Sequence, residues 1–454
     1  MTSCFKAYDV RGVVPDQLDN SVATRIGQGF CYLTGAKRVV VGHDMRLTSP
    51  ELADALIHGL NDGGADTLNI GLCGTEEIYH AAFSGDFDGG IMVTASHNPA
   101  EYNGMKFVGK GALPLDPATD YKDLKSFVLE EKEFVSANRG AADTGSMRDD
   151  YVSDLLSGLD LENFKNLRIL VNSGNGCAGP VVDALSRHLP CEIIPMHHEP
   201  DGTFPNGVPN PLLLENRSET AQAVVREKCD LGVAFDGDFD RCFFYDASGL
   251  FVEGYYIVGM LAEAMLARSP GAKIIYDPRL VWNTIDVVKA HGGIPVMTQT
   301  GHVFIKQAMR EHGAVYGGEM SGHHYYEQFG YCDSGMLTWL LVASLLGAQD
   351  MPLAEKVAAY VEQYPVSGEI NRRVADADVI LDQLRQQHES EAVSIDDIDG
   401  LSMEFLDWRF NLRSSNTEPV VRLNVETRCD SALLKEKTDG ILALLEAPQH
   451  MIRG

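Results

Sequence analysis

A pattern of strand, loop, helix and strand recurs three times in this chain of 454 residues, and it restricts the fold more than any other feature. The copies lie at 37–70, 167–195 and 273–298. In each copy an apolar strand leads through a polar or glycine-containing loop to a helix and a second strand. Helices that connect parallel strands cover both faces of a sheet. The recurrence therefore predicts three related α/β domains.

The C-terminal part follows a different pattern. Residues 402–409 and 420–427 are predicted to be strands, and an amphipathic helix is predicted near 433–445. The acidic stretch at 375–400 predicts a helix and a turn that belong to the same smaller α+β domain. The expected domains are 1–150, 151–252, 253–366 and 367–454.

The net charge of the chain restricts the classes of ligand that it is expected to bind. The net charge is −28, which argues against nucleic acid and anionic membranes as ligands. An anionic substrate would need a few clustered cations. Nine cysteines without a CxxC pair favour a reducing compartment, and no run of 18 apolar residues occurs. We therefore expect a cytoplasmic protein.

The segment FDGDFDR places three aspartates, Asp236, Asp238 and Asp240, between two apolar strands. Carboxylates this close repel one another unless a cation lies among them, and oxygen ligands suit Mg²⁺ or Ca²⁺. An EF-hand is excluded, since its sixth and twelfth positions hold Arg241 and Ala247. A solvated acidic turn is the remaining alternative, but the flanking apolar strands favour a partly buried site.

The segment IMVTASHNP places Ser96 at the exposed end of a strand, directly before His97. Ser96 could be a hydrolytic nucleophile or the carrier of a phosphoryl group. In extended chain His97 is expected to point away from Ser96, so it cannot act as the base of a triad, and no G-x-S-x-G motif occurs. The second alternative is favoured because a phosphoserine would give the aspartate-bound metal another oxygen ligand.

Three further segments suggest ligand contacts. In RSSNTEP (413–419) the arginine and hydroxyls suit phosphate, although polar turns of this kind are common. In GGEMSGHH (317–324) Glu319 and Ser321 can point the same way and suit two sugar hydroxyls, whereas the two histidines favour a structural or substrate contact over a metal. GNGCAG (174–179) matches the G-x-G-x-x-G dinucleotide pattern only weakly.

TASHNP, DGDFDR, GEMSGH and RSSNTEP, in this order, resemble the motifs of the α-D-phosphohexomutases, and FKAYDVRG, NGMKF and TGH (300–302) add to the match. The resemblance covers essentially the whole chain and is greatest to the bacterial phosphomannomutases. It implies an α/β protein with four domains around a central cleft, of which three are related α/β domains with mixed sheets and the fourth is a smaller C-terminal α+β domain.

The resemblance also implies the site residues. The catalytic group would comprise Ser96, His97, Lys106 and Arg11, with Lys106 and His97 as candidates for proton transfer. Mg²⁺ would be held by Asp236, Asp238, Asp240 and the phosphate on Ser96. The substrate would be bound by Tyr8, Arg241, Arg279, His302, Glu319, Ser321, Arg413, Ser415, Asn416 and Thr417. In the metal loop Phe239 replaces the commoner glycine, so we expect a backbone that avoids positive φ and a ring directed away from the metal.

The implied reaction interconverts mannose 6-phosphate and mannose 1-phosphate through a phosphoserine and a hexose 1,6-bisphosphate, feeds GDP-mannose synthesis and extends to glucose phosphates. Phosphoglucomutase is an alternative, as is phosphoglucosamine mutase, which Met320 disfavours. A Mg²⁺-dependent sugar phosphatase and a non-catalytic sugar-phosphate sensor are the alternatives from other classes. The sequence leaves monomer and homodimer both open.

Overall fold

The computed structural model describes residues 4–374, 376–414 and 420–446. The chain divides into two compact units. Unit 1 comprises the described residues up to Val252 together with Gly322–Leu353. Unit 2 comprises Glu253–Ser321 together with the described residues from Ala354 onward.

Strands and short helices alternate through most of the chain. The strands are β1 (Val10–Val13), β2 (Arg38–His43), β3 (Asp66–Leu72), β4 (Gly89–Val93), β5 (Tyr102–Gly109), β6 (Ala142–Thr144), β7 (Arg168–Asn172), β8 (Glu192–Met196), β9 (Leu231–Phe235), β10 (Cys242–Asp246), β11 (Phe251–Val252), β12 (Lys273–Tyr276), β13 (Ile294–Met297), β14 (Tyr316–Gly318), β15 (His324–Tyr326), β16 (Cys332–Asp333), β17 (Ile370–Arg373), β18 (Ser394–Asp396), β19 (Leu401–Glu404), β20 (Trp408–Ser414) and β21 (Val420–Thr427). The α-helices are α1 (Asn20–Thr34), α2 (Ser49–Asp62), α3 (Thr75–Ser84), α4 (Asp120–Leu129), α5 (Arg148–Leu156), α6 (Ala178–Ser186), α7 (Ser218–Arg226), α8 (Gly254–Arg268), α9 (Trp282–Ala290), α10 (His302–His312), α11 (Gly335–Gln349), α12 (Leu353–Gln363), α13 (Ala377–His388) and α14 (Ser431–Glu446).

Unit 1 contains two mixed sheets. The first has the order β1-β5-β4-β2-β3-β6, in which β5 runs antiparallel to β1 and β4 and the other pairs are parallel. The second has the order β11-β10-β9-β7-β8, and β10 runs antiparallel to both of its neighbours. Strands β4 and β9 are buried along their whole length. Each therefore delivers the residues that follow it to the carboxyl end of a packed sheet. The segment 322–353 adds the antiparallel pair β15–β16 and the buried helix α11.

In unit 2, β12 pairs in parallel with β13 and β14, whereas β17-β21-β20-β19-β18 form an antiparallel sheet. The antiparallel sheet packs on a core that includes Phe410, Leu423 and Ile441. The three predicted strand–helix–strand units are confirmed as β2-α2-β3, β7-α6-β8 and β12-α9-β13, and each pair of strands is parallel.

One local prediction requires correction. Residues 402–409 do not form one strand, because the backbone N–H of Phe405 donates to the carbonyl of Trp408 at 2.9 Å and a turn separates β19 from β20. Leu406 at the tip of this turn is 79% exposed, so its apolar side chain misled the strand prediction.

Within the described ranges, no single helix is long and apolar enough to cross a membrane. Helices α11 and α12 satisfy the length and hydropathy criteria only when they are taken together as a bent pair.

Candidate active site

Ser96 lies in the loop that follows β4. Its side chain is only 2% exposed, in contrast to the expected open position, and its backbone has φ +48°, which is uncommon for a residue with a Cβ. The Ser96 N–H donates to Thr94 Oγ1 at 2.9 Å, and its hydroxyl donates to Asp236 Oδ2 at 2.7 Å. The structure therefore joins the serine of the first sheet directly to the aspartate loop of the second.

The expectation that His97 points away from Ser96 is wrong. His97 Nδ1 lies 3.0 Å from Ser96 Oγ because the left-handed conformation at Ser96 turns the chain out of the extended form. The Arg241 guanidinium donates to the same Nδ1, which must therefore be an acceptor. Burial, followed by the charge of Arg241, lowers the pKa of His97 well below its ordinary value. His97 is thus held as the neutral imidazole.

Asp236, Asp238 and Asp240 lie between β9 and β10, and all three are buried. One carboxylate oxygen from each lies within 4.8 Å of the others, an arrangement that can hold a metal ion. Across the described ranges, no hydrogen-bond partner reaches Oδ1 of Asp238 or Oδ1 of Asp240. Burial and the neighbouring Asp238 charge raise the pKa of Asp240. The cluster therefore carries more negative charge than its protein partners neutralise.

Two cations of unit 1 contact the aspartates. Lys106 on β5 donates to Asp238 at 2.7 Å and to Asp240 at 2.5 Å. Arg241 contacts Asp236 through Nε at 2.9 Å and through Nη2 at 2.7 Å. Burial would lower the pKa of Lys106, but the two carboxylates raise it, so the ammonium stays charged.

The donor set of the aspartate loop fits Mg²⁺. All the available atoms are carboxylate or hydroxyl oxygens, which this ion prefers, and two of the buried oxygens have no hydrogen bond to lose on binding it. Thr75 at the start of α3 also donates to Asp238 Oδ2 at 2.6 Å and fixes that side chain. The sequence patterns did not single out Thr75.

Phe239 does not avoid positive φ; its φ is +49°, so that expectation is wrong. The ring is fully buried and packs edge-on to Phe235 at 6.5 Å between centroids. It also lies against Gly74, where an added Cβ would come within 2.0 Å of the ring. The left-handed backbone is therefore compatible with phenylalanine because the ring fills a buried space that glycine would leave empty.

Arg11 on β1 belongs to the same region of unit 1. It donates to Asn98 Oδ1 and to the Ala95 carbonyl, on either side of Ser96, and it pairs with Asp9 at 3.1 Å. Burial would lower the pKa of Arg11, but nearby groups, above all Asp9, raise it. Tyr8, half-buried just before β1, is one of these groups.

A second group near the aspartates comprises Asp240, His323 and Asp333. His323 Nδ1 lies 2.8 Å from Asp333 Oδ2 and 4.0 Å from Asp240 Oδ1. His324, the next residue, is buried within β15. Asp333 carried no sequence signal, because it lies in a short strand with no other polar residue at a recognisable spacing.

The GNGCAG segment contacts the aspartate loop through the backbone. The N–H of Cys177, directly before α6, donates to the carbonyl of Gly237 at 2.9 Å. The N-terminus of α6 thus contacts the aspartate loop of the protein itself. The glycines of this segment are explained by that contact, and no dinucleotide is needed to explain them.

In unit 2, Arg279 joins the two residues of the predicted sugar loop. Its Nη2 lies 3.4 Å from Glu319 Oε1 and donates to Ser321 Oγ at 3.2 Å. Asp277 holds the guanidinium through Nε at 2.8 Å. The N–H of Gly301 donates to Glu319 Oε1 at 3.1 Å, and His302 follows as the first residue of α10.

Glu369 lies among three arginines of unit 2, and sequence reasoning missed it. Arg413 donates to it at 3.1 Å, and Arg279 and Arg422 each lie 3.6 Å away. Burial opposes ionisation, but these guanidinium groups lower the pKa of Glu369. Ser415, Asn416 and Thr417 lie outside the described residues.

Comparisons with known proteins cover nearly the whole chain. Models of the phosphoglucomutase/phosphomannomutase family match four segments: alpha/beta/alpha domain I at 2–133, domain II at 149–249, domain III at 253–364 and the C-terminal domain at 369–443. A phosphomannomutase of Escherichia coli is 52% identical over 453 residues, which cover 98% of this chain and 99% of the relative. Phosphohexose mutases of Xanthomonas campestris are 49% identical over 441 residues, or 97% of this chain and 98% of the relative. A solved structure of a phosphoglucomutase/phosphomannomutase family protein from Burkholderia thailandensis superposes with a TM-score of 0.86 at 33% identity and covers 98% of this chain and 97% of that one.

Proposed function

The chain belongs to the phosphoglucomutase/phosphomannomutase family and is a phosphohexomutase, and we propose that it interconverts mannose 6-phosphate and mannose 1-phosphate through a phosphorylated Ser96. The observation that carries the proposal is the 2.7 Å contact between the Ser96 hydroxyl and Asp236. A phosphoryl group on that oxygen would lie beside an oxygen-lined cation site, next to Lys106 and Arg241.

Each half-reaction transfers one phosphoryl group. The bond between Ser96 Oγ and phosphorus breaks, a hydroxyl oxygen of the hexose monophosphate bonds to phosphorus, and that hydroxyl loses its proton. The resulting hexose 1,6-bisphosphate turns around and returns its other phosphoryl group to Ser96. Phosphoryl transfer depends mainly on positioning and charge neutralisation.

The chain supplies much of that neutralisation. Lys106 and Arg241 stay charged and can contact the moving phosphoryl oxygens, while Asp236, Asp238 and Asp240 would hold Mg²⁺. Bound Mg²⁺ would withdraw charge from the phosphoryl oxygens. His97, beside Oγ, is a candidate acceptor for the hydroxyl proton once its Nδ1 no longer accepts from Arg241, and Arg11 fixes the loop around Ser96.

The resemblance assigns the remaining substrate contacts. Glu319 and Ser321 are assigned to sugar hydroxyls, His302 to the sugar and Arg279 to substrate binding. Arg413, with Ser415, Asn416 and Thr417, is assigned to the phosphate that does not react. Tyr8 and Arg241 complete the proposed set in unit 1.

We also propose that glucose phosphates are substrates and that the mannose 1-phosphate formed feeds GDP-mannose synthesis. Contacts to hydroxyls that mannose and glucose share cannot separate two sugars that differ at C2. A mannose-to-glucose ratio of kcat/KM above about 10⁴ would contradict the proposal, because that discrimination needs a dedicated C2 contact.

The direct test compares Ser96→Ala with Ser84→Ala, which removes an exposed hydroxyl at the end of α3. Intact-mass measurement should find a phosphate on the wild-type and Ser84→Ala proteins and none on Ser96→Ala. A coupled assay of mannose 1-phosphate with a trace of bisphosphate should lose its signal only for Ser96→Ala. Steady release of inorganic phosphate without isomerisation would instead identify a phosphatase, and an unphosphorylated, inactive wild type would identify a sensor.

A further inference from the structure

Arg46 is a fully buried arginine that contacts the backbone of the Ser96 loop. It lies between β2 and α2 and is 1% exposed. Its side chain donates to four backbone carbonyls: Nη1 to Pro99 at 2.8 Å and Tyr102 at 2.9 Å, and Nη2 to Ser96 at 2.9 Å and Asn98 at 2.6 Å.

These contacts supply hydrogen-bond donors to backbone carbonyls at the Ser96 loop. Ser96, Asn98 and Pro99 lie in the loop between β4 and β5, and Tyr102 is the first residue of β5. Buried carbonyls require hydrogen-bond donors. A guanidinium presents its N–H groups in one rigid plane, so two nitrogens can bind several carbonyls at fixed directions. A lysine ammonium has fewer donors and no such plane.

Arg46 is itself held in place. Its Nε lies 3.4 Å from Asp44 Oδ2, and Asp44 Oδ1 accepts from the Arg46 N–H at 2.9 Å. The Phe204 ring lies 5.1 Å from the guanidinium carbon on another side. Because these contacts fix the guanidinium in one position, it can fix the positions of the carbonyls that it binds.

We propose that Arg46 is a positioning residue for phosphoryl transfer, which sets the left-handed conformation of Ser96 and so keeps its Oγ against Asp236. The proposal rests on the proposed role of Ser96. Because the Arg46 side chain donates its hydrogen bonds, within the described ranges, to backbone carbonyls at 96–102, its effect is exerted on the phosphorylated residue and not on binding of the sugar.

The test compares Arg46→Lys with a matched control. Arg217 also donates to two loop carbonyls, of Pro211 at 3.1 Å and Leu212 at 2.8 Å, and stacks over Phe251 at 3.5 Å, and it lies directly before α7, in a different loop from Ser96. Both lysine variants keep the charge and lose the guanidinium plane. We expect Arg46→Lys to lower kcat at least tenfold per phosphorylated enzyme, with KM for mannose 1-phosphate changed less than threefold, and Arg217→Lys to leave both constants within threefold of wild type.

Intact mass gives the phosphorylated fraction, and circular dichroism gives the folded fraction. A lower kcat caused by unfolded or unphosphorylated enzyme is thus distinguished from one caused by a displaced Ser96. If Arg46→Lys does not fold, Phe204→Leu, which removes only the aromatic face from Arg46, should lower kcat by about threefold to tenfold without a matching change in KM. Wild-type kcat in the folded variant, or an equal loss in Arg217→Lys, would overturn the proposal. Failure of the proposed function would instead appear in the wild-type protein, as absence of phosphate from Ser96.

Discussion

Gly237 of the aspartate loop packs closely against the backbone of the Ser96 loop. A Cβ built on this glycine would lie 2.6 Å from the Ser96 carbonyl oxygen and 3.2 Å from the carbonyl carbon. Gly237 has no positive φ, so Gly237→Ala changes the space between the loops and not the backbone preference. To reach the 3.4 Å of an ordinary contact, the loops must separate by about 0.8 Å.

That separation acts directly on the contact between Ser96 Oγ and Asp236. A misplacement of about 1 Å can lower a rate by about 10²-fold when catalysis depends on positioning. We therefore expect Gly237→Ala to lose about 100-fold in kcat/KM, which equals about 2.7 kcal/mol of transition-state stabilisation. Because the metal ligands and the serine remain, the variant should still bind Mg²⁺.

The measurement is the initial rate on mannose 1-phosphate, normalised to the phosphorylated fraction from intact mass. Gly109→Ala is the control: it lies in the same unit, its φ is −85°, and its added Cβ would meet the nearest atom at 3.7 Å. It should retain wild-type activity within threefold. A Gly237→Ala protein that also stays within threefold would show that the contact between the loops does not set the rate.

Three further predictions concern Phe239, His324 and Mg²⁺ binding. Phe239→Ala should lower the free energy of unfolding by about 3–5 kcal/mol in urea titrations. Phe239→Gly should be about 1 kcal/mol more stable than the alanine variant because glycine tolerates φ +49°. At Phe235, whose φ is not positive, the alanine variant should be the more stable of the two. Burial lowers the pKa of His324 from 6.5 to about 3, so the neutral form contributes stability that is complete above pH 6.5 and is lost as the pH falls toward 3. His324→Gln should remove about 2 kcal/mol of the loss in unfolding free energy between pH 7 and pH 5, and an unaltered pH slope in His324→Gln would refute this assignment. Mg²⁺ at 100 times its dissociation constant should stabilise the wild-type protein by about 2.7 kcal/mol and raise its Tm, but Asp238→Asn should not respond; an equal Tm shift in both proteins would place the ion elsewhere.

Much of the fold followed from local pattern. The alternation of apolar strands with helices predicted the three parallel strand pairs, because burial on both faces leaves a continuous apolar run in the sequence. The strand prediction failed at Leu406, since one exposed leucine in a tight turn has the same local pattern as a strand residue.

The site was predictable only in part, because its remaining members depend on contacts distant in sequence. Arg46 lies 50 positions from Ser96, and nothing in its own neighbourhood indicates that it binds that loop. The errors at His97 and Phe239 have one origin: both expectations assumed that a residue with a Cβ avoids left-handed backbone. At Ser96 and Phe239 tertiary contacts outweigh that preference, as is common at functional sites.

The charges around Ser96 link phosphorylation to metal binding. With a free hydroxyl, three buried carboxylates face two cations, Lys106 and Arg241, and two carboxylate oxygens have no hydrogen bond within the described part of the chain. A phosphoryl group would add a charge of about −1.5 to −2 to this cluster. Mg²⁺ should therefore bind at least tenfold more tightly to the phosphorylated protein, and by linkage the bound ion should favour the phosphorylated form by the same factor at equilibrium. Calorimetric titration of the phosphorylated and the Ser96→Ala proteins measures the difference, and equal affinities would show that the aspartates alone determine metal binding.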